Sequence, residues 1–135
     1  MNYWLAKSEP DVYGYHHLEK DKKTIWEGVR NYQARNNLKA MKENDLVLFY
    51  HSNIGKEVVG IAKVVKEHYP DPTADSGEWV VVEMAPYQKL KKAVTLETIK
   101  KHPELQQLIL IKNGRLSVMP LKKEEFDTIL QLSES

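Results

Sequence analysis

Seven consecutive residues, Trp26-Glu27-Gly28-Val29-Arg30-Asn31-Tyr32, bring together a large aromatic, a glycine, a guanidinium and an amide, and Arg35 follows shortly after. These types suit the binding of a flat polar ring. An aromatic face stacks on a nucleobase for about 1–3 kcal/mol. An amide both donates and accepts along a base edge, and Arg30 or Arg35 can meet a phosphate or a base edge. The same residues have ordinary roles too: Trp26 as core, Asn31 as a helix cap, the arginines as surface charge. Lys7-Ser8-Glu9-Pro10 sets an amine, a hydroxyl and a carboxylate on a stiff turn. It rims a pocket, or it is a solvated turn in which Ser8 bonds local backbone. Tyr50-His51-Ser52-Asn53 closes an apolar run with polar groups. Adjacent strand residues point to opposite faces, so His51 and Ser52 do not form a catalytic pair with each other. Arg115 and Ser117 alternate with Leu116 and Val118, as on a half-buried strand whose polar side meets a groove or water.

Other chemistry finds little support. The histidines at 16, 17, 51, 68 and 102 make no ligand pattern such as His-Glu-x-x-His. The 6 glycines are scattered, so no loop cradles a phosphate. No nucleophile elbow of the Gly-x-Ser-x-Gly kind occurs. Neither a metal nor a cofactor is expected. Tyr69 and Trp79 flank a loop rich in Pro, Asp and Gly; they cap a pocket, or Trp79 packs in the core.

Several elements must position these groups. Asn2 to Ala6 reads as a strand, and Pro10 keeps Glu9 extended in the turn behind it. A short helix over Tyr15 to Asp21 and a strand over Thr24 to Trp26 follow. Asn31 caps a helix running to about Met41, with Ala34, Leu38 and Met41 as the buried stripe and Tyr32, Arg35 and Lys39 on a neighbouring side. Leu46 to Tyr50 is a strand covered on both faces. Val58 to Val65 and Trp79 to Met84 are further strands, with Gly60 marking a bulge or close approach and Pro86 ending the latter. Thr95 caps a helix to about Lys101, and Pro103 starts another helical turn. Asn113-Gly114 turns into a last strand, Arg115 to Met119, and Lys122 to Leu132 forms a terminal helix. Strands interspersed with short helices and joined by short turns predict an α+β fold with antiparallel central strands, closed or nearly closed into a barrel.

The chain has 135 residues, which predicts one domain spanning 1–135. With 20 Lys and Arg against 19 Asp and Glu, the formal charge is +1. A uniformly basic nucleic-acid coat is excluded, although a local basic face is not. There is no Cys, hence no disulfide framework or thiolate metal site. No apolar run spans a bilayer, and the N-terminus has no secretory pattern. A cytoplasmic, monomeric protein without membrane contact is the expectation.

Tyr3-Trp4-Leu5-Ala6-Lys7-Ser8-Glu9-Pro10, the run from Trp26 to Leu38, Phe49-Tyr50-His51-Ser52-Asn53 with Gly60-Ile61-Ala62, Tyr69-Pro70-Asp71-Pro72-Thr73 and Arg115-Leu116-Ser117-Val118 together resemble the EVE domain family of the PUA-like superfamily. The resemblance covers nearly the whole chain in order. It implies a PUA-like, mostly antiparallel β-barrel surrounded by short helices, similar in fold to YTH domains, which hold a methylated adenine in an aromatic cage. It implies a non-enzymatic nucleic-acid-binding module that reads a modified base in an aromatic pocket, with modified cytosine in DNA favoured. The alternatives are a PUA-like module bound to transfer or ribosomal RNA and, more remotely, a hydrolase using His51 with Glu9 or Asp71. Carried over, the family's pocket blocks fall on Lys7, Ser8, Glu9, Trp26, Arg30, Asn31, Tyr32, Arg35, His51 and Ser52, with Arg115 and Ser117 near the same cleft. Trp26 would stack the base, Asn31 and Ser8 would read its edge, and Arg30 and Arg35 would meet phosphate or base edge. One departure is Gly14-Tyr15-His16-His17-Leu18, where family members often carry a hydroxyl ahead of an acidic pair.

Overall fold

Trp4, Leu5 and Ala6 are consecutive and all buried, so the first strand, β1 (Tyr3–Ser8), is covered on both faces. The computed structural model describes residues 1–135. After β1 come the helices α1 (Pro10–Tyr13) and α2 (Tyr15–Asp21), β2 (Thr24–Ile25), α3 (Tyr32–Ala40), β3 (Leu46–His51), β4 (Glu57–Pro70) and β5 (Val80–Thr95). Then follow α4 (Leu96–Lys101), a 3-10 turn (Pro103–Leu105), α5 (Ile109–Lys112), β6 (Val118–Leu121) and α6 (Lys123–Glu134). The strands form one six-stranded sheet in the order β2-β5-β4-β3-β1-β6. The fold is α+β and mostly antiparallel, as expected. The sheet runs from β2 at one edge to β6 at the other and does not close, so the barrel is a loose one.

β3, β4 and β5 pair antiparallel, but β1 lies parallel to β3 at the centre of the sheet. The α1 to α3 segment supplies the long crossover that a parallel pair needs. Pro86 does not end its strand. β5 continues to Thr95, and Pro86 sits opposite Ala62 beside a register shift that leaves Tyr87 of β5 as the extra residue, a bulge that tolerates the missing N–H. Pro10 starts the short helix α1 instead of extending a turn. Residues 115–117 precede β6, whose pairing with β1 begins as the Lys7 N–H donates to the Ser117 carbonyl at 2.9 Å.

Helix α3 follows its sequence signals closely. The Asn31 side chain accepts the Ala34 N–H at 2.9 Å, and Ala34, Leu38 and Met41 are fully buried. At the departure from the family pattern, Gly14 occupies the cap of α2 without a side chain to offer. His17 Nδ1 accepts the Gly14 N–H at 2.8 Å, and His51 Nε2 accepts the Tyr15 N–H at 3.1 Å. The two imidazoles thus satisfy the N–H groups of the cap residue and of the first helical residue, from the helix's own third residue and from the end of β3. The Tyr15 ring crosses the sheet at Gly60, where a Cβ would come within 2.5 Å of it, and its hydroxyl donates to the Ile61 carbonyl at 2.8 Å. That close approach is the reason for Gly60.

Candidate functional site

A cleft of about 510 Å³ opens where the end of β1, helix α1, β2 and the segment after it meet the turn before β6. Its lining includes Lys7 and Ser8 from β1, Val12 and Tyr13 from α1, the continuous run from Thr24 to Arg30, and Ser117. The volume lies within the roughly 300–1,000 Å³ common for small-ligand sites.

Trp26 serves two surfaces. It is only 9% exposed, it meets Phe49 edge-on at 5.6 Å, and its backbone N–H donates to the Val82 carbonyl at 2.8 Å, yet it forms part of the cleft wall. Two residues on, Gly28 takes φ +79°, which other residues rarely adopt, and nothing stands within 4 Å of where its Cβ would be. The wall beside Trp26 is therefore bare backbone.

Asp71 holds this wall in place. Its buried carboxylate accepts from the Gly28 N–H at 3.0 Å and from Arg30 Nη1 at 2.9 Å. Its other oxygen accepts from the Thr73 N–H at 2.7 Å and hydroxyl at 2.6 Å. Burial pushes the carboxyl's pKa up, but the Thr73 hydroxyl, the Gly28 and Thr73 amides and Arg30 outweigh it and hold the group well below the usual carboxylate range. Arg30 thus lines the cleft with its charge already matched.

Lys7 differs. It forms no ion pair with a carboxylate. Its Nζ donates to the Gly114 carbonyl at 2.6 Å, and burial lowers its pKa. Ser8 and Ser117 also line the cleft, and neither side chain takes part in a hydrogen bond within the protein. Apolar Val12, Ile25 and Val29 join the lining, as do Tyr13, Thr24 and the Glu27 carboxylate, which has no ion-pair partner. The site therefore offers an aromatic wall, free hydroxyls, one cation and one carboxylate without ion-pair partners, and aliphatic contacts.

Of the residues expected at the site, the cleft brings together Lys7, Ser8, Trp26, Arg30 and Ser117. The others lie elsewhere. Glu9 is the exposed N-cap of α1, and the Asn31 side-chain oxygen is committed to capping α3. Tyr32 and Arg35 turn away from Trp26 and gather around Trp79. His51 Nε2 is engaged by the Tyr15 N–H, so that nitrogen is not free to act as a base, and Ser52 binds the Ser8 carbonyl through its backbone N–H at 3.0 Å. Arg115 is exposed in the turn before β6. Thr24, Ile25, Glu27, Gly28 and Val29 adjoin Trp26 in sequence, which is the signal that could have found them. In the sequence Asp71 enters only as a partner for His51 and within the Tyr-Pro-Asp-Pro-Thr block, and its hold on the cleft wall gives no signal, since Gly28 and Arg30 lie far back in the chain.

The family model of the EVE domain matches residues 2–132. Thymocyte nuclear protein 1 of Mus musculus is 38% identical over 168 residues, covering 99% of this chain and 74% of that protein. The chain belongs to the EVE domain family. Solved EVE-like structures superpose throughout. A protein from Agrobacterium tumefaciens gives a TM-score of 0.95 at 39% identity, over 98% of this chain and 93% of that one. Human THYN1 in complex with 5-methylcytosine-containing DNA gives 0.91 at 34% identity, over 100% of this chain and 99% of that one. The expectation of a cytoplasmic location is corrected by the thymocyte nuclear protein 1 relatives, which are named as nuclear proteins. The absence of Cys fits any reducing compartment, so it never distinguished cytosol from nucleus. No helix of this EVE domain is long and apolar enough to cross a membrane.

Proposed function

We propose that residues 1–135 act as one monomeric, non-catalytic module that reads a modified base in DNA, with 5-methylcytosine the first candidate. The observation that carries this reading is the cleft: Trp26 in its wall, the unpartnered hydroxyls of Ser8 and Ser117, and the half-buried amine of Lys7. The complex of human THYN1 with 5-methylcytosine-containing DNA supports it from a chain of the same fold and family. A base must leave its stack to enter such a cleft, at a cost of a few kcal/mol. Trp26 offsets part of that cost by stacking. The hydroxyls meet the polar edge, and Lys7 meets either that edge or a phosphate. The aliphatic side chains of Val12, Ile25 and Val29 receive a methyl group.

Burying one methyl contributes about 0.8 kcal/mol, a preference of roughly four-fold over unmodified cytosine. Fluorescence polarisation with matched oligonucleotides carrying cytosine or 5-methylcytosine at one position tests this directly. A preference of about four-fold or more for the methylated strand is expected, with weaker binding to the matched RNA. Equal affinity for the two DNA strands overturns the reading, and tighter binding to RNA reassigns the module to RNA.

A further inference from the structure

Tyr32 is 67% exposed, although it begins a helix whose opposite face is fully buried. Its ring stacks on Trp79 with centroids 5.1 Å apart and planes inclined by 26°. Arg35, on the next turn of α3, lies 5.0 Å from the Tyr32 ring centre and 5.8 Å from that of Trp79. Arg30 approaches Trp79 from the cleft side at 5.6 Å. The two arginines are not equivalent. Arg30 is paired with Asp71, whereas the Arg35 guanidinium bonds only the Asn36 side-chain oxygen, at 3.1 and 3.3 Å, and meets no carboxylate.

We propose that Tyr32, Trp79 and Arg35 form a stacking platform for the nucleotide next to the one held in the cleft. The neighbouring base lies on the exposed ring of Tyr32, and Arg35 meets its phosphate. Exposed aromatic rings beside an unpaired guanidinium are what unpaired nucleic acid stacks on. Arg30 makes the platform continuous with the cleft, since it lines one and touches the other. Anchoring the loop before β5 to α3 explains the contact between Tyr32 and Trp79. It explains neither the open Tyr32 surface nor the free charge of Arg35. The proposal rests on the base-binding reading of the cleft, and it commits the ligand to a strand that is unpaired at this step.

The test uses short single-stranded DNA carrying one 5-methylcytosine, together with strands in which its 5′ or 3′ neighbour is abasic. On one side, the abasic neighbour is expected to weaken wild-type binding about 5- to 100-fold. Tyr32→Ala weakens binding to the intact strand by a similar factor, adds no further loss on that abasic strand, and leaves the preference for 5-methylcytosine unchanged. Tyr32→Phe retains wild-type affinity, and Arg35→Gln lowers the salt slope by about one. The proposal is overturned if Tyr32→Ala binds the intact strand as wild type does, if its loss is as large on both abasic strands, or if only duplex DNA binds. If the wild type ignores methylation while the coupling between Tyr32 and the neighbour persists, the modified-base reading falls and the platform stands.

Discussion

Asp71→Asn tests the joint between the cleft wall and the loop that leads into β5. The carboxylate has no exposed side-chain surface and accepts four hydrogen bonds, two from Thr73 and one each from Gly28 and Arg30. Asparagine keeps one acceptor oxygen and replaces the other with an NH₂ group. The shorter bonds, 2.6 and 2.7 Å, are those to Thr73, so the oxygen is expected to stay there. The new amide then confronts the Gly28 N–H and Arg30, donor against donor. Two hydrogen bonds to a charged acceptor are lost, each worth about 1.5–3 kcal/mol. The Arg30 side chain is 38% exposed, so water recovers part of that loss. A destabilisation of about 2–4 kcal/mol is expected in urea denaturation at pH 7, with a Tm lower by on the order of 10 °C.

The pH dependence supplies a second readout. The folded carboxyl lies below its unfolded value, so the unfolded chain binds the proton more readily. Its contribution to stability is complete above the unfolded value of about 3.9 and is lost as pH falls towards the folded value. Wild-type stability therefore declines below about pH 4. The variant lacks that share of the acid limb, and the two curves converge at the lowest pH. A loss under about 0.5 kcal/mol at pH 7, of the size usual for a surface substitution, refutes the joint. So do parallel acid limbs.

Trp26→Leu keeps apolar bulk against Phe49 but removes the stacking face; it should still fold, by its melting curve, and bind a 5-methylcytosine strand about 5- to 100-fold more weakly, and unchanged affinity removes Trp26 from the site. Gly60→Ala drives a methyl to within 2.5 Å of the Tyr15 ring and should cost about 1–3 kcal/mol in urea denaturation; a neutral effect means that the ring yields freely. Burial and then the nearby His16 lower the His51 pKa, so its contribution is present above the unfolded value of about 6.5 and is lost as pH falls through the folded one. Wild-type stability should decline over that interval while His51→Gln stays flatter, and identical slopes would show that the bond from the Tyr15 N–H does not depend on a neutral imidazole.

What was legible in the sequence is what short-range chemistry decides. Asn31 caps α3 because its side chain reaches an N–H three residues on, and the stripe of Ala34, Leu38 and Met41 follows from helical spacing alone. The apolar run from Leu46 to Tyr50 declared a strand covered on both sides, and Val47 to Tyr50 are buried. Helical spacing also placed Tyr32 and Arg35 correctly on a common side. It could not say what that side faces. Trp79, reached only after β4 has turned back, occupies the position that Trp26 was expected to fill. The parallel pairing of β1 with β3 and the bulge that admits Pro86 were hidden for a related reason, because both depend on partners supplied by distant strands. The same holds for Asp71, whose nearest polar neighbour in sequence is Thr73 while half of its hydrogen bonds come from Gly28 and Arg30.

The charge arrangement separates two roles that residue type alone merges. Arg30 and Lys7 both line the cleft and both carry a cation. Arg30 is neutralised by a buried carboxylate, and its guanidinium also lies over Trp79, so it acts on shape by joining wall, loop and platform. Lys7 is hydrogen-bonded to the Gly114 carbonyl, lies over the Tyr50 ring at 6.0 Å and meets no carboxylate, so it retains a charge that burial makes harder to keep. An incoming phosphate or electron-rich base edge would relieve that strain on Lys7 and would gain little from Arg30. Attraction for an anion in the cleft therefore resides in the Lys7 amine, set against the unpaired Glu27 carboxylate in the same lining, and that of the platform in Arg35. With one such cation in the cleft and one on the proposed platform, few phosphate contacts would be made there, so most of the affinity at this site would come from stacking and from the fit of the base.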